Sequence, residues 1–311
     1  MTRFALTGAA GYIAPRHLKA IQEVGGKLVA ALDVVDAVGI LDRYFPEVPF
    51  FLHPELFEAY LEDLREQGQG VDYLAICTPN YLHGAHIRMA LRQGADALCE
   101  KPLVLEPVEL VRLRELEARW GRRVWTVLQL RVHPALVALQ QQLATDQGIK
   151  EVELTYITGR GPWYMQSWKA REDLSGGLAM NIGVHFFDLL HWFFGPLVEA
   201  RLHLRTATTL AGYLELARAR VRWFLSIDAR WIPEALRAQG QRTYRSIRIE
   251  GHEVEFSEGF TELHTVVYRQ TLAGTGFGIE EAAPAIETVY RLRQLEVQQP
   301  ALCQAHRFLK L

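Results

Sequence analysis

Apolar positions fall into two kinds of pattern along this chain. In roughly the first 130 residues, short unbroken apolar runs alternate with amphipathic stretches. The runs Phe4–Thr7, Lys27–Leu32, Phe50–Leu52, Val71–Cys77, Ala95–Cys99 and Val124–Leu128 read as strands covered on both faces. Between them, Pro15–Val24, Pro54–Gln67, Leu82–Arg92 and Pro107–Trp120 read as helices. The second of these gathers Leu56, Phe57, Tyr60, Leu61 and Leu64 on one face. Strands and helices alternating at this spacing predict a parallel, doubly wound α/β sheet of the Rossmann type.

After about residue 130 the pattern changes. A helix at Pro134–Ala144 leads into Glu151–Thr158, where Val152, Leu154, Tyr156 and Thr158 fall at alternate positions on one side. Val221, Trp223, Leu225 and Ile227 alternate with Arg220, Arg222 and Phe224. Tyr244–Glu250 and Glu253–Phe256 predict a hairpin around Gly251-His252, and a late helix spans Ile279–Leu295. These features predict an α+β domain on a mostly antiparallel open sheet. The division expected is residues 1–127 for dinucleotide binding and 128–311 for substrate binding and oligomerisation.

Composition narrows the classes. The chain has 311 residues, 34 basic against 36 acidic side chains, and a net charge of −2. Without basic runs, this balance argues against bulk nucleic-acid binding. No apolar stretch approaches the roughly 20 residues a membrane helix needs. The start of the chain enters a strand-like run with no charged leader, which predicts no signal peptide. Cys77, Cys99 and Cys303 are widely spaced, as in a reducing cytoplasm, and they form no cysteine metal site. Only two Asn occur, Asn80 and Asn181, and only six of the basic residues are Lys. Their positions therefore carry information.

The turn Gly8-Ala9-Ala10-Gly11-Tyr12-Ile13-Ala14 joins the first strand to the first helix. It is an imperfect version of the glycine fingerprint that lets a backbone approach a pyrophosphate, with Ala14 at the packing position. Asp33 follows Gly11 by 22 residues and closes the second strand, where a carboxylate takes adenosine ribose hydroxyls. Asp36 is the fallback. No cation follows in Asp33-Val34-Val35-Asp36, so NAD is expected over NADP.

Two loops at later strand ends face the same crevice in such sheets. Thr78, Asn80 and His83 lie in the first. Each offers either a coenzyme contact or a structural role: helix capping for Thr78 and Asn80, a surface position for His83. The second carries Glu100-Lys101-Pro102, where Lys101 can polarise a substrate hydroxyl. In the second half, Asn181, His185 and Asp188 share one helix face at i, i+4, i+7. A metal reading of His185, Asp188 and His191 fails because their spacing drifts too far around the helix, so no metal is expected. Arg160, Trp163, Tyr164 and Lys169 lie in one loop and suit an anionic or sugar ligand, or else pack between elements. Gln129 and Arg131 form a further polar cluster. Arg242-Thr243-Tyr244-Arg245 is either a ligand or subunit contact or a solvated edge.

The Gly8–Ala14 turn, Thr78-Pro79-Asn80, Glu100-Lys101-Pro102 and Gly183-x-His185-x-x-Asp188 together resemble the Gfo/Idh/MocA family of NAD(P)-dependent sugar oxidoreductases. Gly-Ala-Ala-Gly-Tyr-Ile-Ala-Pro-Arg-His, Thr-Gly-Arg-Gly-x-Trp-Tyr and Asn-Ile-Gly-Val-His-Phe are similar to members that oxidise UDP-N-acetyl-D-glucosaminuronate at C3 in bacterial surface-polysaccharide synthesis. The resemblance implies NAD as hydride acceptor. It also implies His185 as general base with Lys101 as hydroxyl orienter, or the reverse, and a cis Lys101–Pro102 bond. The turn residues Gly8, Gly11, Tyr12 and Ile13, with Glu100 and Lys101, are expected at the coenzyme. Lys101, Gln129, Arg131, Arg160, Trp163, Tyr164, Lys169, Asn181 and His185 are expected at a UDP-sugar. A tetramer or dimer formed through the open sheet face is implied, as is possible use of 2-oxoglutarate to reoxidise NADH. Asn181 stands where the wider family often has Asp. The competing readings are a dehydrogenase of a free sugar or cyclitol, and a non-catalytic NAD-binding sensor.

Overall fold

The computed structural model describes residues 1–146, 148–254, 256 and 262–309. The chain divides into two compact units: Met1–Val132 with Thr261–Ala283, and His133–Phe260 with Pro284–Leu311.

In the first unit, β1 (Arg3–Thr7), α1 (Ala14–Glu23), β2 (Lys27–Leu32), β3 (Phe50–Phe51), α2 (Pro54–Glu66), β4 (Tyr73–Ile76), α3 (His83–Arg92), β5 (Asp96–Cys99), α4 (Pro107–Trp120) and β6 (Val124–Thr126) follow one another. All pairings between these strands are parallel, in the order β3-β2-β1-β4-β5-β6. This is the doubly wound order in which ligands bind at the carboxyl strand ends. Phe4, Ala5 and Leu6 are fully buried, as are Leu74, Ala75 and Ile76, which explains their unbroken apolar sequence. A short helical turn at Ile40–Tyr44 lies outside the predicted elements.

The second unit begins with α5 (Pro134–Thr145), β7 (Lys150–Thr158), α6 (Val184–Phe194), β8 (Leu197–Arg205), β9 (Thr209–Leu216), β10 (Ala219–Ser226), β11 (Thr243–Ile249) and β12 (His252–Glu253). Its sheet order is β12-β11-β7-β10-β9-β8, with only β10 and β7 parallel. The hairpin β8–β9 has no predicted counterpart. Its turn lacks Gly, Asn or Pro; instead the Thr206 hydroxyl accepts the N–H groups of Thr208 and Thr209. The β11–β12 hairpin turns at Glu250 and Gly251, both at positive φ, as a two-residue turn requires. The strand expected over 253–256 ends at Glu253, and residue 255 lies outside the described residues.

The chain then returns to the first unit through α7 (Leu263–Leu272). The last long helix, α8 (Ile279–Gln294), has its residues up to Ala283 in the first unit and those from Pro284 in the second. The expected continuous second domain, 128–311, is therefore interrupted. Buried Val267 and Tyr268 of α7 and the bridge between Thr126 and Phe277 tie this returning segment to the first sheet. The expected boundary at 127 moves to Val132, which closes a 3-10 turn over Gln129–Val132. No helix among the described residues is long and apolar enough to cross a membrane.

Gly212 marks the tightest packing of the second sheet. A Cβ there would collide with the carbonyl oxygen of Arg201 and lie 2.7 Å from the Trp223 ring. Gly212→Ala is expected to cost about 1–3 kcal/mol by overpacking, read as a lower thermal midpoint with unchanged far-UV dichroism.

Two buried histidines make stability acid-sensitive. His86 Nδ1 bonds the Thr7 hydroxyl at 2.9 Å, and burial, helped by His83, pushes its pKa down to about 4. His306 Nε2 bonds the Thr155 hydroxyl at 2.9 Å, and burial, with Arg307 and Arg222, pushes it down to about 3. The unfolded value is about 6.5. Between these limits the unfolded chain holds more protons, so this stability is complete above pH ~6.5 and is lost as pH falls towards 4 and 3. Urea melts from pH 7.5 to 4.5 should show the fall. His306→Gln should make the slope shallower, and an unchanged slope would contradict the assignment.

Candidate functional site

In the first unit the site is built at the carboxyl ends of β1, β2, β4 and β5. Gly8 adopts φ +85, and a Cβ there would lie 2.6 Å from the carbonyl carbon of Cys77 and 2.7 Å from the Thr78 nitrogen. Only glycine lets the first turn lie this close to the end of β4. The Gly8 and Ala9 N–H groups both reach the Leu32 carbonyl, at 2.8 and 3.2 Å, and Gly11 N–H closes the turn on the Gly8 carbonyl at 3.0 Å. Ala14 at the packing position is fully buried, so a methyl group fits where the fingerprint has glycine. Tyr12 is 92% exposed at the start of α1, with Ile13 beside it. Positive dipole and backbone N–H groups at such a helix start suit a pyrophosphate.

Asp33 joins the second strand to this turn. One carboxylate oxygen accepts Ala10 N–H at 2.9 Å and the other accepts Val35 N–H at 3.0 Å. Each oxygen keeps a further lone pair for a ribose hydroxyl. Asp36, three residues on, is exposed. Beyond β4, the Thr78 hydroxyl is buried without a hydrogen-bond partner among the described residues, and Asn80 is buried in the following 3-10 turn. The close-set glycine, the carboxylate with spare lone pairs and the orphaned hydroxyl together fit a dinucleotide.

His83 does not take the expected surface position. It is 1% exposed, and its two ring nitrogens lie 2.9 Å from the Thr78 carbonyl and 2.7 Å from the Pro102 carbonyl. It lies between two loops, and with burial lowering its pKa the neutral ring donates to one of the two carbonyls. Glu100 is also buried. One of its oxygens lies 3.0 Å from His17 Nε2 and 2.8 Å from His264 Nε2, and the other accepts Lys101 N–H at 3.2 Å. Its carboxylate thus has three donors within the first unit. The Lys101–Pro102 bond is cis. Burial alone would push Glu100 up, but the bonds from His17 and His264 outweigh it and hold the carboxyl well below the usual carboxylate range.

In the second unit, residues Ala179–Gly183 form a π-helical turn running into α6. Such turns re-aim side chains and recur at functional sites. A Cβ at Gly183 would lie 2.5 Å from Leu225, so the turn presses onto the sheet. Asn181 falls inside this turn, His185 is half-buried at the first turn of α6, and Asp188 is buried one turn on. Asn181 Nδ2 donates to the Tyr164 hydroxyl at 2.7 Å. Burial pushes the Tyr164 phenol up; the bond from Asn181 and the charge of Arg160 pull the other way. Arg160, Tyr164 and Asn181 are therefore one neighbourhood. Trp163 is half exposed beside Tyr164, and Lys169 Nζ lies 4.3 Å over the Trp168 ring.

Several other expected residues have structural partners, and Gln129 is an exception. Arg131 donates to the Glu281 carbonyl at 3.2 Å and stacks on Phe277. The Gln129 side-chain oxygen is buried without a partner among the described residues. The Tyr244 hydroxyl accepts Arg307, and Arg245 lies over Tyr156 and Phe256, while Arg242 and Thr243 are exposed. His191 bonds Gly195 and Thr288. Residues not singled out in the sequence are His17, His264 and Tyr268. Their signal was available: His17 shares a face with buried Ala14, Leu18 and Ile21, and His264 and Tyr268 are spaced i, i+4.

Residues 2–127 match the model of the oxidoreductase family NAD-binding Rossmann fold, and residues 147–232 match that family's C-terminal alpha/beta domain. Among curated relatives, the inositol 2-dehydrogenase of Rhizobium meliloti is 28% identical over 62% of this chain and 55% of its own length. The putative oxidoreductase YteT of Bacillus subtilis is 24% identical over 50% and 37%. The chain thus spans about a third to a half of the length of these relatives. A crystal structure of the WlbA (WbpB) dehydrogenase from Thermus thermophilus, in complex with NAD and UDP-GlcNAcA, is 65% identical. It covers 99% of this chain and 100% of its own, with a TM-score of 0.97. The same dehydrogenase in complex with NAD and alpha-ketoglutarate matches equally.

Gly8→Ala is expected to weaken NAD binding at least about tenfold, because the added methyl group forces the turn off β4. Fluorescence titration of the folded variant measures it, and wild-type affinity would contradict the placement.

Proposed function

The chain belongs to the Gfo/Idh/MocA oxidoreductase family, and from that premise we propose that it oxidises the C3 hydroxyl of UDP-N-acetyl-D-glucosaminuronate to the 3-keto sugar with NAD. The observation that carries this reading is 65% identity, over essentially the whole chain, with a dehydrogenase crystallised with both NAD and that nucleotide sugar.

When bound, NAD supplies the hydride acceptor. The turn from Gly8 through Gly11, Tyr12 and Ile13 receives the pyrophosphate at the start of α1. Asp33, with Asp36 as a second carboxylate, takes the adenosine ribose hydroxyls and repels a 2′-phosphate. Thr78 and Asn80 offer a hydroxyl and an amide to the rest of the coenzyme. Glu100 and His83 complete the coenzyme-binding set, each also bonded to the backbone beside it.

Arg160 and Lys169 neutralise the diphosphate of the sugar nucleotide, and Trp163 offers a ring face. The amide of Asn181 and the phenol of Tyr164 bond sugar hydroxyls, with Gln129 and Arg131 as further substrate contacts. His185 takes the C3 hydroxyl proton. Lys101 orients that oxygen and stabilises the charge developing on it, the reverse assignment being the alternative. The C–H electron pair leaves as hydride, the O–H proton goes to the base, and a carbonyl forms. The product belongs to surface-polysaccharide synthesis in the cytoplasm. The chain assembles as a tetramer, or else a dimer, through the open sheet face of the second unit. The solved complex of the Thermus enzyme with alpha-ketoglutarate supports a coenzyme reoxidised in place by 2-oxoglutarate.

Purified protein mixed with UDP-N-acetyl-D-glucosaminuronate and NAD, with and without 2-oxoglutarate, and followed by mass spectrometry tests the reading. A 3-keto sugar appearing only with 2-oxoglutarate supports recycling in place; one appearing without it supports free exchange of the coenzyme. Turnover of free sugars alone would overturn the nucleotide-sugar reading, and NAD binding without any turnover would favour a sensor. Lys101→Met is expected to lower kcat/KM about 10²–10⁴-fold. Arg160→Met is expected mainly to raise KM.

A further inference from the structure

Both residues that flank Lys101 in the chain are gripped by buried imidazoles. On one side, Glu100 is held by His17 of α1 and His264 of α7. On the other, the Pro102 carbonyl lies 2.7 Å from His83 Nδ1. His17 Nδ1 in turn lies 2.7 Å from the Tyr268 hydroxyl. His17, Glu100 and His264 are all buried, and their ligand atoms lie within 4.8 Å of one another.

Two histidines and a carboxylate at this spacing invite a metal reading. A zinc ion ~2.0–2.1 Å from each atom would hold neighbouring ligands roughly 3.3 Å apart. The observed 3.0 and 2.8 Å are instead ordinary N–H···O lengths. The protons on Glu100 and His17 are also accounted for without an ion, and His264 Nδ1 is left buried with no partner among the described residues. An ionised carboxylate only accepts, so His17 donates from Nε2, and its Nδ1 lone pair receives the Tyr268 O–H. Burial keeps His17 below its ordinary pKa, against the pull of Glu100, so a single proton on the ring matches this arrangement. The nearby thiols of Cys77 and Cys99 are raised by burial and by the charge of Glu100, and add no second anion. One buried negative charge is thus met by two imidazole N–H groups and the Lys101 N–H.

We propose that His17 and His264 are positioning residues for the dehydrogenase reaction: they lock the Glu100 carboxylate, which fixes the Lys101 backbone and sets where its ammonium group meets the substrate hydroxyl. His17 lies on the helix that begins directly behind the Gly8–Gly11 turn, so the network also joins the coenzyme turn to Lys101 within one unit. The role rests on the Lys101 assignment made above.

The test compares leucine and glutamine at each histidine, because glutamine keeps a donor near the position of Nε2. His17→Leu and His264→Leu are expected to lower kcat about 10–100-fold through a misplaced Lys101. KM for UDP-N-acetyl-D-glucosaminuronate should stay within about threefold, and the pH profile of kcat should shift. His17→Gln and His264→Gln are expected to recover most of the rate. In the coenzyme-free wild-type protein, nitrogen NMR is expected to show both rings carrying the proton on Nε2, with His17 neutral at pH 7. Leucine variants with wild-type kcat and pH profile would overturn the proposal, as would glutamine variants as impaired as the leucine ones. Stoichiometric zinc lost in His264→Leu, or an Nδ1–H tautomer on either ring, would overturn it too. If the wild-type protein turns over no sugar nucleotide, the functional reading fails, while the NMR result still decides whether the network exists.

Discussion

A carboxylate buried in a protein must be met by hydrogen-bond donors, because leaving its charge uncompensated costs several kcal/mol. Glu100 sets that requirement just after β5, between β4 and the edge strand β6 of the first sheet. Its donors come from positions 17, 101 and 264, which lie far apart in the sequence. Meeting the requirement brings the segment holding α7 back to the Rossmann unit after an excursion of more than a hundred residues. The discontinuity of the first unit and the immobilisation of the loop bearing Lys101 therefore share a physical origin. Thr265, which donates to Glu23 at 2.6 Å, and Tyr268, packed near Phe4, extend the same seam.

The second constraint is steric and acts on the backbone. A parallel sheet directs its carboxyl ends to one side, and whatever binds there competes for space with the loops. Gly8 resolves that competition by lying against Cys77 and Thr78, closer than any side chain allows. Asp33 then uses both oxygens to fix the turn while retaining lone pairs for a ligand. Order at this site comes from backbone-to-carboxylate bonds, with few side chains spent on it. The exposed Tyr12 sits on a frame that is already fixed.

The elements most legible in the sequence are those whose burial writes a local pattern. β2 (Lys27–Leu32) and α4 (Pro107–Trp120) match their expected bounds, because unbroken apolar runs and a proline at the helix start leave little freedom. The hairpin β8–β9 was not legible, since a threonine hydroxyl does the work that Gly or Asn usually signals. Helix α7 was hidden for another reason. Its buried face contains His264, Thr265 and Thr271, so it does not look apolar. The bonds that pay for burying His264 and Thr265 reach Glu100 and Glu23, far outside any sequence window. At the candidate site, scarcity made Asn80, Lys101 and Asn181 visible. His83 was visible too, but its role was not: a histidine between two backbone carbonyls looks in sequence like a histidine beside a ligand.

Asn181 shows how a departure from a family pattern can be read physically. Its Nδ2 donates to the Tyr164 oxygen in a part-buried pair. An aspartate at that position would have no N–H to give when ionised. The phenol would have to turn its own proton towards the carboxylate, and a second charge would enter a pocket already close to Arg160. The amide leaves the Tyr164 proton free to point elsewhere and adds no charge of its own beside Arg160. The π-helical turn contributes to the same end, because an extra residue in the turn sets Asn181 towards Tyr164 while His185 starts a regular helix anchored on the sheet. A neutral amide at this point therefore adds no negative charge beside Arg160.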